Sequence, residues 1–436
     1  MKTLIVGHGG REAALAKAMA NESQVFGFGG HINPTIARFS LESGGVIQIG
    51  DVCDGQEIAD FASTHSIDLA LVSSDNPLEA GVVDALRNAN IPTVGPTRSG
   101  AEVEWNKTFS RCLVQDIAPH ANPRFEIART CQEAQQAVAT IGETGPVVIK
   151  PVGLAGGKGV KVVGPHLPDN NAALEYAFEI IDSRRHGGAV IVEEVIEAPE
   201  FTIQAITDGH TVIFPPATYD YPYRFEGDIG PGTGGMGSCS MGDGLLPFLD
   251  ASTYNQGCEI VSKAIAYLAE RGRLFSGCLN AGFFAAKDGV RVIEFNARFG
   301  DPEAINIMAI LDSDLTSLLG SIEKGELSSQ QVNFSGQSSI ATYLVSPDYC
   351  LGEGKPRRFY LDEDAIEKCG AYALFSAAKE VATGEYETIG NSRAVAIVGC
   401  APTIDQAQAI TARAIEVGFK GDLQWRNDIG KFPNPY

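Results

Sequence analysis

The chain has 436 residues and a formal net charge of −21, from 54 acidic and 33 basic residues. This length favours two to four domains, and a content of 44% hydrophobic and 20% charged residues is typical of a globular protein. A surface of this charge repels phosphate backbones and anionic membranes, so we expect neither nucleic acid nor a membrane as a partner. A local basic pocket can still bind a small anionic substrate.

No hydrophobic segment of the sequence is long enough for a targeting signal or a membrane span. Gly7 ends the first apolar run, whereas a signal peptide needs about 7–15 apolar residues and a spanning helix needs about 18. The nine cysteines include no CxxC pair, which fits reduced thiols in a cytoplasm. We therefore expect a soluble cytoplasmic protein that is a monomer or a small homo-oligomer.

The first hundred residues alternate between strand and helix patterns. Apolar runs at residues 3–6, 69–72 and 91–94 predict strands, and helical patterns follow the first two of them. This alternation predicts an α/β fold with a doubly wound parallel sheet. Ligands of such sheets bind beyond the carboxyl ends of the strands, which is where residues 7–10 and 73–76 fall.

The pattern changes near residue 105 and again near residue 331. In the middle segment, strand patterns at residues 147–150 and 160–163 flank a short glycine loop and predict an antiparallel hairpin lid. The last segment contains further strand patterns and a helix that ends at Gly418. We therefore expect three domains, residues 1–104, 105–330 and 331–436, of which the last is a small α+β domain.

The loop Gly7-His8-Gly9-Gly10-Arg11-Glu12 precedes the first predicted helix. It begins like the dinucleotide fingerprint G-x-G-x-x-G, but Glu12 stands where the third glycine belongs. The backbone N–H groups of Gly9 and Gly10, with Arg11 beside them, could bind the phosphate of a substrate at the helix N-terminus. The alternative is a tight turn that needs glycine only for its geometry.

The glycine loop at residues 153–159 is the second candidate for phosphate binding. It contains four glycines, including Gly156 and Gly157, and Lys158. Because Gly159 follows Lys158, the loop is not a P-loop. It could close over a polyphosphate whose charge Lys150 and Lys158 offset, with ATP as the nucleotide. A mobile surface hairpin is the alternative.

Residues 294–303 combine oxygen donors with a cation. Strand alternation directs Glu294 and Asn296 to one face, and Arg298 continues that face if the strand persists. A carboxylate and an amide oxygen suit Mg²⁺, which takes one or two protein ligands together with phosphate oxygens. Arg298 could bind a carboxylate or a phosphoryl group in transfer. A polar strand end with a salt bridge is the alternative.

The segments at residues 7–12, 153–159, 230–237, 294–303 and 425–430 occur in the order found in the ATP-grasp superfamily. Within it, the chain most resembles the phosphoribosylamine–glycine ligase family of purine biosynthesis, over essentially its whole length. The resemblance implies a doubly wound N-terminal domain, an ATP-grasp region with a lid, and a small C-terminal domain. It also implies an ADP-forming ligase that uses ATP and Mg²⁺ or Mn²⁺ and joins glycine to 5-phosphoribosylamine through a glycyl phosphate.

The same resemblance implies roles for individual residues. Those implied for ATP are Lys107 and Lys150 at the phosphates and the adenine side, Glu193, Glu194 and Val195 around the adenine, and Glu200 at the ribose. Glu294 and Asn296 would hold the metal ion, and Arg298 would face the carboxylate that becomes an acyl phosphate. Asp220 and Arg224 would serve the acceptor chemistry.

The chain departs from the family pattern on the acceptor side. The family usually has His at the position of Ala13, Gly-Pro-Glu at residues 73–75 and Asn at the position of Gly232. Residues 219–224 replace a charged run with three tyrosines and a proline, which predicts a more apolar pocket wall with phenol hydroxyls as its directional groups. Two other functions therefore stay open: a ligase for another small carboxylate or phosphorylated amine, and a non-catalytic nucleotide-binding protein.

Overall fold

The computed structural model describes residues 1–155 and 159–433. The N-terminal segment forms a five-stranded parallel sheet in the order β3-β2-β1-β4-β5. Its strands are β1 Lys2–Val6, β2 Gln24–Gly29, β3 Ile47–Ile49, β4 Leu69–Val72 and β5 Thr93–Val94. Its helices are α1 Gly10–Met19, α2 Pro34–Ser43, α3 Gly55–His65, α4 Asp75–Ala80, α5 Val82–Asn88 and α6 Glu102–Trp105.

Alternate residues of β1 pack on opposite faces of this sheet. Leu4 and Val6 belong to one hydrophobic core with α3 and α5, and Ile5 belongs to a second core with α1. Helices on both faces of a parallel sheet define the doubly wound arrangement, so the predicted fold class is confirmed. The carboxyl ends of β1 and β4 lead into residues 7–10 and 73–76, as predicted.

A small antiparallel sheet follows in the order β6-β9-β7-β8. Its elements, with the preceding helix, are α7 Lys107–Ile117, β6 Phe125–Ala128, α8 Cys131–Gly142, β7 Val147–Pro151, β8 Lys161–Val162, α9 Asn170–Ser183 and β9 Val190–Glu194. Apolar residues of α8 and α9 pack on this sheet and give it a core of its own. We call residues 125–195 the lid sheet, because β7 and β8 flank the glycine loop.

The largest sheet has nine strands and begins at the edge strand β17, with the path β17-β16-β10-β12-β15-β18-β23-β20 and β11 beside β10. The elements between the lid sheet and residue 330 are β10 Glu200–Thr207, β11 Val212–Ile213, β12 Thr218–Asp220, β13 Tyr223–Phe225, β14 Ile229–Gly232, β15 Gly237–Ser240, α10 Ala251–Glu270, β16 Gly277–Ala286, β17 Gly289–Asn296, α11 Glu303–Ile310 and α12 Leu315–Lys324. β16 and β17 form an antiparallel hairpin.

The C-terminal segment contributes to two sheets. Its elements are β18 Ser338–Val345, β19 Arg358–Leu361, α13 Glu363–Lys368, β20 Ala371–Phe375, β21 Ala378–Ala382, β22 Glu385–Thr388, β23 Arg393–Ala401, α14 Ile404–Gly418 and β24 Phe419–Gly421. β18, β23 and β20 extend the nine-stranded sheet, whereas β21, β22, β19 and β24 form a separate four-stranded sheet. The last segment therefore shares its principal sheet with the middle segment.

All nine cysteines are free thiols. Within residues 1–155 and 159–433, the structure contains no helix with the length and hydropathy of a membrane span.

Candidate active site

A cavity of about 470 Å³, which we call the central cavity, lies where α7, β7, β10 and β17 meet. The predicted site residues that line it are Arg11, Lys107, Lys150, Glu200, Asp220, Glu294, Asn296 and Arg298. They come from segments that lie up to almost 290 residues apart in the chain. The structure therefore brings most of the candidate nucleotide, metal and acceptor residues into one cavity.

Two lysines supply positive charge on the lid side of the central cavity. Lys107 begins α7, and its Nζ donates to the carbonyl of Gly153, 3.2 Å away. Lys150 lies in β7, and its Nζ is 2.8 Å from Glu193 Oε2 and 3.3 Å from the carbonyl oxygen of Ile293. Burial, with some help from the nearby Lys150, lowers the pKa of Lys107. Anionic phosphates would offset the repulsion between these cations.

The predicted metal ligands lie at the end of β17. The amide of Asn296 donates to Glu294 Oε1 at 3.3 Å, and Arg298 Nη2 donates to Asn296 Oδ1 at 3.2 Å. A bulge precedes this pair: Val292 pairs with Phe283 and Glu294 pairs with Gly282, which leaves Ile293 without an opposite residue. Both side chains line the central cavity as a result.

A buried carboxylate holds Arg298 in place. Glu104 Oε1 is 3.2 Å from Arg298 Nε, and Glu104 Oε2 accepts a hydrogen bond of 2.8 Å from the N–H of Ala297. Burial would lower the pKa of Arg298, but Glu104 and other nearby carboxylates outweigh it and raise that pKa. Arg298 is therefore a fixed cation in the cavity wall.

Several carboxylates lie close together in the central cavity. Burial raises the pKa of Glu200 to about 7, and the neighbouring Glu294 adds to the shift. Burial also raises the pKa of Asp220 well above its usual range, with Glu303 and Glu200 contributing. Such repulsion is relieved by a cation among the carboxylates. The oxygen donors of Glu294 and Asn296 thus fit Mg²⁺, which needs few protein ligands when phosphate oxygens complete its shell.

Two of the three residues predicted to surround the adenine form ion pairs in the structure. Glu193 is buried between Arg111 and Lys150, and these two cations outweigh its burial and lower its pKa to about 2. Glu194 forms a half-exposed ion pair with Arg124. Neither of them, nor Val195, is among the described residues that line the central cavity. Glu193 thus forms an internal ion pair, and the contacts of these three residues with adenine stay a prediction.

A second cavity of about 380 Å³, the N-terminal pocket, adjoins the central cavity. Arg11, Asp75, Asp301 and Arg393 line both cavities. The N-terminal pocket also contacts Gly9, His8 and His31 on one side and residues 389–393 on the other. The carboxyl ends of β1 and β4 and the start of β23 thus line a pocket that adjoins the central cavity, where Lys107 and Lys150 lie.

Gly9, Gly10 and Arg11, which the sequence predicts to bind a phosphate, make other contacts in the structure. The N–H of Gly9 donates to Glu12 Oε2 at 2.8 Å, while the guanidinium of Arg11 donates to Glu12, Ser74 and the carbonyl of Phe299. Gly10 is not among the described lining residues, and a Cβ on it would lie 1.9 Å from the hydroxyl of Tyr343. Gly10 is thus required for packing, and a phosphate would compete with Glu12 for the helix N-terminus.

Arg393 connects the two cavities with the C-terminal segment. Its Nη2 is 3.3 Å from Asp301 Oδ2, and its Nη1 donates to the main-chain carbonyls of Gly234, Gly235 and Asp301. Tyr343 donates to the other oxygen of Asp301 at 2.7 Å. The N-terminal, middle and C-terminal segments therefore all contribute to the boundary between the cavities.

The tyrosine-rich segment at residues 219–224 faces in several directions. Tyr219 and Tyr223 line a cavity beside Glu200 and Asp220. The hydroxyl of Tyr221 instead donates to the carbonyl of Lys431 and accepts from the N–H of Gly430. Main-chain groups of the C-terminal tail therefore engage the hydroxyl of Tyr221, and Tyr219 and Tyr223 are the tyrosines of this segment that line the cavity.

Arg224 also lies away from the predicted acceptor site. Its guanidinium is buried and donates to the carbonyls of Tyr349 and Ser346 and to Gln424 Oε1. Among the described residues, those that line the central cavity and the N-terminal pocket do not include it. A direct catalytic role for Arg224 is therefore not supported by this geometry, since its donors hold the C-terminal segment.

Gly156, Gly157 and Lys158 lie outside the described residues, so their predicted contacts with ATP stay predictions. The sequence analysis did not single out several charged residues that line the central cavity or contact its surroundings, namely Glu104, Arg111, Asp301, Glu303 and Arg393. Asp301 and Glu303 follow Glu294 in the same polar segment, and Arg111 is one helical turn after Lys107. Their spacing from predicted site residues could therefore have indicated Asp301, Glu303 and Arg111. No local pattern marks Glu104 or Arg393.

The lid sheet, the edge of the large antiparallel sheet and a cavity that contains both lysines and oxygen donors define the ATP-grasp class. Residues 105–304 match the family model for the phosphoribosylglycinamide synthetase ATP-grasp (A) domain, and residues 1–104 match the model for the N domain of that synthetase. The chain belongs to the phosphoribosylglycinamide synthetase family. The predicted superfamily and family are thus confirmed.

Similar proteins extend this likeness to nearly the whole chain. The phosphoribosylamine–glycine ligase of Methanosphaera stadtmanae is 38% identical over 98% of this chain and 96% of its own. That of Thermococcus kodakarensis is 36% identical over 99% and 96%. The crystal structure of phosphoribosylamine–glycine ligase from Thermotoga maritima has a TM-score of 0.81 at 22% identity, covering 98% of this chain and all of that one.

The fold also occurs in a biotin carboxylase domain. That domain, from the 2-oxoglutarate carboxylase of Hydrogenobacter thermophilus and crystallised with MgADP, ADP and bicarbonate, has a TM-score of 0.74 at 18% identity. The alignment covers 97% of this chain and 91% of the domain.

Proposed function

We propose that the protein is an ADP-forming ligase that joins glycine to 5-phosphoribosylamine, as the names of its full-length relatives indicate. The observation that carries this proposal is the adjoining pair of cavities. One contains lysines, oxygen donors and Arg298, and the other shares Arg11, Asp75, Asp301 and Arg393 with it. An acceptor in the second cavity would therefore meet a group activated in the first.

In the first step, a carboxylate oxygen of glycine attacks the γ-phosphorus of ATP, and the bond to the β-phosphate oxygen breaks. The products are glycyl phosphate and ADP. Lys107 and Lys150 bind the phosphates, and Arg298 offsets the charge on the carboxylate and the transferring group. Phosphoryl transfer depends on positioning and charge stabilisation more than on covalent catalysis, which this set of fixed cations can supply.

In the second step, the amine of phosphoribosylamine attacks the carbonyl carbon of glycyl phosphate. The carbon–oxygen bond to phosphate breaks, inorganic phosphate leaves, and the amine loses a proton as the amide forms. We assign Asp220 to the ammonium group of glycine, because a half-buried carboxylate that lies near Glu303 and Glu200 is stabilised by a cationic partner.

Glu294 and Asn296 are the residues that would hold Mg²⁺, with Mn²⁺ as a chemical equivalent. When bound, such an ion neutralises negative charge on the phosphate oxygens. The crowding of Glu200, Asp220 and Glu294 supports this assignment. Burial is the main cause of the raised pKa of Glu200, and a cation would relieve the added repulsion from Glu294.

A release assay for ADP with single omissions tests the proposal. The purified protein with ATP, Mg²⁺, glycine and phosphoribosylamine should release ADP, and omission of either co-substrate should reduce the release to background. Release with another small carboxylate or amine, but not with this pair, would indicate a related ligase. Nucleotide binding without release for any pair would indicate a non-catalytic binding protein.

We also propose that the enzyme acts in the cytoplasm as a monomer or a small homo-oligomer. Free cysteines and an acidic composition support this location. Light scattering on the purified protein would give the oligomeric state, and fractionation of cells would test the location.

A further inference from the structure

Arg111 is a buried cation beside the central cavity. It lies one helical turn after Lys107 in α7, and only 3% of its surface is exposed. A buried arginine is costly unless its donors are bonded, so its partners indicate what it holds in place. One of its bonds, from Nη1 to Asn122 Oδ1, is long at 3.4 Å. The other partners of the guanidinium lie on strands β9 and β17.

The first partner is Glu193 in β9. Arg111 forms a bidentate ion pair with Glu193, in which Nε is 2.6 Å from Oε1 and Nη2 is 2.8 Å from Oε2. Glu193 Oε2 is also 2.8 Å from Lys150 Nζ. One carboxylate thus lies between two cations, which leaves a net positive charge at Lys150 while fixing the position of its ammonium group.

The second partner is the main chain of the edge strand β17. Arg111 Nη1 donates to the carbonyl of Val292 at 2.9 Å, and Nη2 donates to the carbonyl of Ile293 at 2.8 Å. Lys150 Nζ is 3.3 Å from the same carbonyl of Ile293. Ile293 is the bulged residue, so its carbonyl has donors from side chains where the ladder is interrupted.

The bulge decides which way the metal ligands point. Val290 and Val292 are buried in the core, as are Phe295 and Ala297 after the bulge. Strict alternation from Val292 would direct Glu294 into the core, because side chains repeat every second residue. The extra residue reverses the alternation, so Glu294 faces the central cavity.

We propose that Arg111 is a positioning residue, which fixes the bulge that turns Glu294 and Asn296 toward the cavity and holds Lys150 beside them. The inference rests on the proposed function, in which these two residues hold the metal ion and Lys150 binds nucleotide phosphate. Loss of a partner that orients metal ligands typically lowers metal affinity about 10–100-fold.

The test compares ADP binding with and without Mg²⁺ by calorimetry, well below the unfolding temperature. The ratio, which is the dissociation constant without Mg²⁺ divided by the constant with Mg²⁺, measures how much the metal ion contributes to ADP binding. Arg111→Lys keeps the positive charge but lacks the planar guanidinium group that bonds Glu193 and the carbonyls of Val292 and Ile293. The ratio should fall by about 10-fold or more, whereas a purely structural role would lower the unfolding temperature and leave the ratio unchanged.

Arg291→Lys is the matched control. Arg291 lies on the same strand and bonds Asp288 and the carbonyl of Val290, before the bulge. Its ratio should equal that of the wild-type protein. A ratio for Arg111→Lys within twofold of this control would overturn the inference. If Arg111→Lys does not fold, Glu193→Gln replaces it with the same expected fall and the same contradicting result.

Glu294→Gln separates the inference from the function on which it rests. If Glu294→Gln lowers the ratio and Arg111→Lys does not, only the positioning role is wrong. If Glu294→Gln leaves the ratio unchanged, the metal ligands themselves are wrong, and the inference on Arg111 fails with them.

Discussion

Replacement of Lys150 by alanine is the sharpest perturbation of the ATP side. The side chain of Lys150 is 10% exposed and contacts only Glu193 and the carbonyl of Ile293 among the described hydrogen bonds and ion pairs. Glu193 keeps both of its bonds to Arg111 when the lysine is removed. The variant should therefore fold, because the buried carboxylate retains a fully charged partner.

The loss of nucleotide affinity follows from the lost charge-assisted contact. Such a contact contributes about 1.5–3 kcal/mol, which corresponds to a dissociation constant for ATP about 10–150-fold higher. Calorimetry with a non-hydrolysable ATP analogue measures this change, and thermal unfolding checks the fold. Lys161→Ala, on the neighbouring strand β8 with its ammonium over the ring of Tyr176, is the control. An unchanged affinity in a folded Lys150→Ala protein would refute the assignment.

Four further changes test other parts of the site. Glu294→Gln should lower turnover at limiting Mg²⁺ far more than it lowers the unfolding temperature, which a rate titrated with Mg²⁺ will show. Glu104→Gln removes the carboxylate beside Arg298 and should lower kcat about 10-fold or more with little change in KM for ATP, as steady-state kinetics can measure. Asp220→Asn should raise KM for glycine and slow ADP release in the same assay. Glu200→Gln should stabilise the nucleotide-free protein above pH 7 by about 2–3 kcal/mol in urea unfolding.

The sign of the Glu200 effect follows from its raised pKa. Burial raises the pKa of Glu200 to about 7 in the folded state, so between about pH 4.5 and 7 the folded protein binds more protons than the unfolded chain. This contribution to stability is complete below about pH 4.5 and is lost as the pH rises through 7. Urea unfolding that shows no difference between Glu200→Gln and wild type across this range would contradict the shift.

Local patterns predicted the strands well where short apolar runs ended at glycine, proline or serine. β1, β4 and β7 and the helix α14 have the type and position that their patterns indicate. Pairing between distant strands is not a local property. The placement of β18, β20 and β23 in the same sheet as β10 and β16 therefore had no sequence signal.

The direction of individual side chains was predicted less completely. Alternation correctly placed Glu294 and Asn296 on one face, but it could not show that the bulge at Ile293 turns that face to the cavity. Glu193 ends an apolar strand run, and its burial between two cations depends on Arg111, 82 residues earlier. Such contacts follow from packing, which a single sequence does not display.

The central claim is that ATP activates the carboxylate of glycine by phosphorylation. Turnover with glycine labelled by ¹⁸O in its carboxylate, followed by mass spectrometry of the inorganic phosphate, tests it most directly. Glycyl phosphate formation predicts one labelled oxygen in each phosphate released, because the oxygen that attacks phosphorus leaves with it. Unlabelled phosphate, with amide formed at the normal rate, would contradict the account.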